Sequence, residues 1–278
     1  MSVIKTTSEA IYHMHRVNLF THDLTQGPLA GLVRRSTKRE LGEAAKNVKI
    51  PWSLADVQLV SSRYCHVLAT TPQFLVALAA STQFFTVCRY NDLSHVRWMH
   101  ISSPRPTIME IFFPKRKNDQ FREGSKVALP DSAEAVPNLP ELFRQWRAIR
   151  RSPQPSDFVF PDFKFGEARR GSTHLLPSQP LRYETYRSAL ALWFGETLGL
   201  DTEKFLELYG TKSGRSGGAS ATSQAGGDLA TIKRQGAWES DAVNCYIFQD
   251  DSQRTNFVSF ILQLKPKEST RRTDLDFR

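Results

Sequence analysis

The sequence is short of the patterns that mark metal centres, nucleotide sites and cross-linked frameworks. Its 278 residues include only three cysteines, Cys65, Cys88 and Cys245, an odd number without CxxC spacing. That set argues against a disulfide framework and against a zinc ribbon. Seven histidines supply no HExxH, and His13 and His15 stand at i and i+2, which point apart on a helix. There is no GxxxxGK loop followed by Ser or Thr and no GxGxxG fingerprint, so neither nucleotide-driven chemistry nor a cofactor is expected. The longest apolar stretch, Phe74 to Cys88, is broken by Ser81, Thr82 and Gln83 and is too short to span a bilayer. It reads as a buried helix. Met1 is not followed by a charged and then apolar export signal, and an intracellular protein is expected. No internal repeat is visible.

Acidic residues are scarce too. Asp and Glu number 28 against 37 Lys and Arg, a formal charge of +9. A polyanion is therefore the first partner to consider. Hydrophobic residues at 40% and charged residues at 23% suit a chain that buries a core, which excludes a wholly disordered protein. The length fits one large domain, or one domain with a small companion.

Along the chain, residues 1–45 read as helix, turn, helix, with Ser8 as a cap, Gly27-Pro28 as a break and Gly42 as a stop. Residues 46–51 read as a linker. Ser53 with Asp56 begins a helix through an N-cap and an acidic first turn, and Pro72 opens the apolar helix. The period then changes. Trp98–Ile101, Met109–Phe113 and Lys126–Leu129 are strand-like runs that suggest a three-stranded antiparallel sheet, with a polar turn from Pro114 to Gly124. Helices follow at Pro137–Arg150 and Tyr183–Leu198, separated by a loop. The Gly- and Ser-rich run from Gly210 to Gly227 sits between two helical patterns. A last amphipathic stretch places Phe257, Val258, Phe260, Ile261 and Leu264 on one face.

Four runs carry chemistry. Phe85–Leu93 reads as an apolar helix ended by Arg89, with Asp92 three residues on. Pro114–Phe121 holds Lys115, Arg116 and Lys117 in the sheet turn. Gly210–Ala219 contains Lys212 and Arg215, and Gly236–Ile247 contains Trp238 and Tyr246. Taken singly, each has an ordinary structural reading. Arg89 could pair with Asp92, the basic turn could be a solvated run, and Gly217-Gly218 could allow close helix packing. Trp238 and Tyr246 could pack rather than react, and Cys245 reads as a packing thiol.

Together, and in this order, the runs resemble the tyrosine recombinase (phage integrase) family. The matching features are the Arg-x-x-Asp-Leu box, a lysine on the turn between strands, an x-x-Arg box before a small-residue helix, and Gly-x-Trp followed by a tyrosine. The resemblance spans residues 50–250 and is nearest in flavour to recombinases of eukaryotic mobile elements, through Lys117–Phe121, Arg215–Ser220 and Gly236–Ile247. It implies an α+β, mostly helical catalytic domain with the small three-stranded sheet over residues 52–264. Residues 1–45 would be the end of a helical DNA-clamping domain, the chain then being a fragment or truncated form of a longer one, 46–51 the linker, and 265–278 a basic tail. The nucleus is implied for a eukaryotic element and the nucleoid otherwise.

The activity implied is site-specific cleavage and rejoining of DNA through a 3′-phosphotyrosyl link, without metal or nucleotide. Arg89 and Arg215 would clamp the non-bridging oxygens, and Trp238 would support the phosphate pocket. Tyr246 would be the nucleophile and Lys117 the general acid to the departing 5′-oxygen. Lys212 stands where the family usually has histidine; it can donate a hydrogen bond, but at neutral pH it is a poor general base unless desolvated. Double-stranded DNA and a homo-oligomer, a tetramer on paired sites joined through the C-terminal helix, are the implied partners. A type IB topoisomerase-like nicking-closing enzyme and a domesticated, inactive DNA-binding protein remain the alternatives.

Overall fold

The computed structural model describes residues 49–66, 68–114, 116, 123–164 and 175–248. By contact the chain divides into two compact units, Met1–Val48 and Lys49–Arg278. The paired helices expected over residues 1–45, Lys117 and the apolar stripe at 257–264 lie outside the described residues.

The second unit is built around one helix buried on every side. Helix α1 (Leu54–Tyr64) starts at Ser53, whose hydroxyl accepts the Asp56 N–H while the Asp56 carboxylate accepts the Ser53 N–H. This reciprocal cap satisfies two orphan donors of the first turn. Helix α2 (Thr71–Thr86) begins with Pro72 in its first turn, and its residues from Phe74 to Phe84 are all buried. Its polar members are paired within the core. Ser81, Thr82 and Thr86 donate to carbonyls four residues back, and the Gln83 amide donates to Thr211 O while accepting from the Tyr186 hydroxyl. No one face of α2 is reserved for water, which is why its sequence shows no clear amphipathic stripe.

After α2 come a short helix α3 (Tyr90–Ser94), a 3₁₀ turn (Trp98–His100) and strands β1 (Ile101–Arg105), β2 (Ile108–Phe113) and β3 (Ser125–Pro130). The three strands form the expected antiparallel sheet in the order β1-β2-β3. The alternation Met109, Ile111, Phe113 turns one face of β2 inward. Two expectations are corrected here. Trp98–His100 is a 3₁₀ turn, and the strand starts only at Ile101, because Trp98 and Met99 spend their N–H groups on Asp157 O and Pro155 O. Arg89 does not end the apolar helix but is the N-cap of the next one, since the backbone of Val87 turns left-handed at φ 51° and closes α2.

Helix α4 (Leu139–Ile149) is capped by Asn138 and packs Phe143 and Trp146 inward, Trp146 stacking on Phe74 at 5.8 Å. Strands β4 (Pro161–Phe163) and β5 (Leu175–Pro180) form a second, two-stranded sheet within the segment read as loop. Helices α5 (Tyr183–Thr197), α6 (Thr202–Leu208), α7 (Ser213–Gln224) and α8 (Leu229–Gly236) follow, then a 3₁₀ segment (Asp241–Cys245). No helix among the described residues is long and apolar enough to cross a membrane.

Helix α7 exists because of packing rather than propensity, for its sequence is glycine- and serine-rich. A Cβ on Gly217 would lie 2.2 Å from Trp52 O, and one on Gly218 would lie 2.0 Å from Phe84 O. Only glycine lets α7 approach the end of α2 so closely.

Candidate active site

Arg215 points from α7 into the seam left by that close approach and is 1% exposed. Its Nη1 donates to Val87 O at 2.9 Å and its Nη2 to Gly236 O at 2.7 Å. Both acceptors sit where a helix ends in a left-handed residue: Val87 itself closes α2, and Ala237, at φ 50°, follows Gly236 at the end of α8. The negative ends of two helices thus face one cation. A β-branched valine at positive φ is a backbone outlier of about 1–3 kcal/mol, the kind that collects at functional sites. Burial, then the nearby Arg89 charge, pulls the Arg215 guanidinium down from 12.5 to about 10, which still leaves it charged at neutral pH.

The flat face of Arg215 lies 3.7 Å from the Trp238 ring centroid and 5.4 Å from that of Tyr246, and the two rings are 5.2 Å apart. Tyr246 closes the 3₁₀ segment that starts at the Ser240 cap, and it is held from several directions. Val243 is fully buried beside Val87, Ala219, Ile232 and Trp238. Ser220 of α7 donates to Tyr246 O at 3.3 Å and accepts the Phe248 N–H at 2.9 Å. Lys233 pairs with Asp241 at 2.7 Å. Cys245, read as a packing thiol, is instead exposed, because the 3₁₀ turn directs Val243 inward and its neighbours outward.

Arg89 stands beside this group. The Asp92 carboxylate accepts the backbone N–H of Arg89 at 3.1 Å, capping the start of α3, while Arg89 Nη1 is buried without a partner among the described residues. Arg116, 3% exposed, is the residue that sequence reasoning passed over. Its Nη1 donates to Gln235 O at 2.8 Å and its guanidinium carbon lies 4.5 Å from the Phe113 ring centroid. Burial lowers its pKa, and Asp92, Cys88 and Arg89 are close enough to act on it. The Cys88 thiol, pushed up to about 12 by burial, feels Asp92, Arg116 and Arg215. Arg89 and Asp92 thus act electrostatically on the buried guanidiniums of Arg116 and Arg215. Among the described residues, five N–H-bearing atoms of these side chains are buried without partners: Arg89 Nη1, Arg116 Nε and Nη2, Arg215 Nε and Trp238 Nε1. Buried donors in such number call for an acceptor-rich anion.

Arg89, Arg215, Trp238 and Tyr246 are thus brought together. Lys212 is exposed at the N-cap of α7, three residues before Arg215 and so on the same side of the helix. Among the described residues no three His, Cys, Asp or Glu side chains are grouped to hold a metal ion. The basic run Lys115–Lys117 did signal a site, but nothing in it distinguishes the buried arginine from its neighbours.

No protein-family model matches the chain, and no curated protein matches it in sequence. Solved structures do. The XerH site-specific recombinase bound to palindromic difH substrate, in a post-cleavage complex, superposes with a TM-score of 0.55 at 14% identity over 80% of this chain and 56% of that one. The XerA recombinase gives 0.52 at 14% over 80% and 66%. A lambda integrase dimer bound to a COC′ core site gives 0.51 at 15% over 89% and 59%. The fold is that of the tyrosine recombinases. This chain spans only 56% to 66% of the length of those three proteins. The tyrosine-recombinase fold explains how elements from four parts of the chain, the end of α2, the β2–β3 turn, α7 and the segment after α8, share one seam.

Proposed function

We propose that this chain cleaves and rejoins DNA strands as a site-specific recombinase or integrase, through a 3′-phosphotyrosyl intermediate. The carrying observation is the phenol of Tyr246 beside Arg215 and Trp238, together with five buried N–H atoms of Arg89, Arg116, Arg215 and Trp238 that have no partner among the described residues. A phosphodiester brings the acceptors those donors lack, and it gains charge on its non-bridging oxygens as a fifth oxygen approaches phosphorus. Arg89 and Arg215 clamp those oxygens; the Tyr246 oxygen bonds to phosphorus and loses its proton to water. The bond from phosphorus to the 5′-oxygen breaks, and Lys117 gives that oxygen a proton. Lys212 supplies charge and a hydrogen bond toward the phosphate. The N-terminal unit clamps the duplex, and the stripe from Phe257 to Leu264 docks on a neighbouring protomer to build the tetramer. Origin in a eukaryotic mobile element belongs to the same reading.

The test uses a library of nicked suicide duplexes of randomised sequence, in EDTA and without nucleotide, followed by denaturation. The wild type should carry a covalent DNA adduct and Tyr246→Phe should carry none while binding DNA equally. An adduct on the Phe variant defeats the assignment of the nucleophile. A wild-type chain that binds DNA and never forms the adduct favours the inactive DNA-binding reading.

A further inference from the structure

We propose that Arg116 is a third phosphate-binding guanidinium of this site, reaching an anionic oxygen alongside Arg89 and Arg215. The inference rests on the reading of the pocket as a phosphate site and adds a residue to it. A solvated basic turn would leave Arg116 in water, yet it is 3% exposed. A structural ion pair would give it a carboxylate, yet among the described residues Nε and Nη2 are buried without partners and Nη1 donates to a backbone carbonyl, Gln235 O. Asp92, the carboxylate nearby, accepts the backbone N–H of Arg89 instead.

The way Arg116 is held also sets its aim. Its guanidinium hangs from Gln235 O while that of Arg215 hangs from Gly236 O, consecutive carbonyls at the end of α8. Phe113, fully buried at the end of β2, supports the plane of the guanidinium. One edge of a rigid fork is therefore anchored, and the other is left with two buried donors that have no partner among the described residues. A lysine cannot do both tasks, because its single ammonium carries all its donors at one point. Among the described residues, three guanidiniums stand against the Asp92 carboxylate in this group, a balance that suits a phosphodiester whose charge rises during the reaction.

The experiment separates this residue from the activity. Thermal melts of the full chain with inorganic phosphate, against chloride at equal ionic strength, should show phosphate-specific stabilisation. Arg116→Gln and Arg116→Lys, each folded by its own melt in chloride, should bind phosphate at least about fivefold more weakly. A second arm compares adduct formation on a phosphodiester and on a neutral methylphosphonate at the cleaved position. Arg116→Gln should be about 100-fold slower than wild type on the first and within about tenfold of it on the second. Wild-type phosphate affinity in both variants, no phosphate binding by the wild type, or equal loss on both DNA substrates would overturn the proposal. Phosphate binding that depends on Arg116 in a chain that never forms an adduct would uphold it, and only the strand-cleavage reading would fall.

Discussion

Replacing Gly218 with alanine tests whether the close seam between α2 and α7 holds the site together. The added Cβ would meet Phe84 O at 2.0 Å. An ordinary carbon–oxygen contact is about 3.3 Å, so the helices must part by more than about 1 Å at that point. The obstacle is a backbone carbonyl, which cannot swing aside as a side chain would. Overpacking of this kind costs about 3 kcal/mol at the upper end of its range, and alanine in a helix returns about 1 kcal/mol. The net, about 2 kcal/mol, should lower Tm by about 4–8 °C for a unit of this size. Activity should suffer more than stability. Phe84 O accepts the Val87 N–H, and Val87 O in turn holds Arg215, so parting the helices moves the buried guanidinium. The assay is a pair of melts and adduct yields against Gly210→Ala, whose new Cβ would meet nothing nearer than Lys49 Cγ at 3.6 Å. That control should stay within about 0.5 kcal/mol of the wild type. A Gly218→Ala protein that melts within about 1 °C of the wild type, or above it, refutes the reasoning.

Three further outcomes are expected. Ser220→Ala removes the donor to Tyr246 O and the acceptor for the Phe248 N–H, each worth about 1 kcal/mol; adduct formation should slow about tenfold with DNA affinity unchanged, and an unaltered rate would show that Ser220 does not position the tyrosine. Trp238→Phe keeps an aromatic face under Arg215 but loses Nε1, so on phosphodiester DNA the adduct should form about 10- to 100-fold more slowly, whereas loss of DNA binding instead would mark Trp238 as a packing residue. Arg215 has a folded pKa of about 10, below its ordinary 12.5, so the folded state releases its proton first and its burial penalty is relieved as pH rises. In denaturant titrations the wild type should hold a constant stability difference from Arg215→Met between about pH 7 and 9 and gain on it above pH 10, at up to about 1.4 kcal/mol per pH unit; a loss above pH 10 would reverse the sign and defeat the burial account.

Much of the scaffold was legible because its signals are local. Ser53 with Asp56, Pro72 at the head of the apolar helix, and the alternation through Met109, Ile111 and Phe113 each depend on residues within a few positions of one another. What failed was set from a distance. Trp98 has strand-forming chemistry, but its N–H is claimed by Asp157 O, far along the chain, and the backbone there coils instead. Arg89 ends an apolar run in sequence yet starts a new helix, because Val87 takes a conformation that no propensity assigns to valine.

The site shows the same division more sharply. Side chains that carry chemistry are written in the sequence, and the order of Arg89, Arg215, Trp238 and Tyr246 was enough to nominate them. The groups that aim the two buried guanidiniums, of Arg215 and Arg116, are backbone carbonyls, those of Val87, Gln235 and Gly236, and a carbonyl has no letter. They are available only because two helices end in left-handed residues, leaving their last acceptors unclaimed by a following turn. That is why Arg116 was passed over. In sequence it is the middle member of Lys115–Lys117, indistinguishable in charge from its neighbours. In the fold its guanidinium donates to Gln235 O, and a residue that is anchored and half unpaired has a role that a solvated basic turn does not.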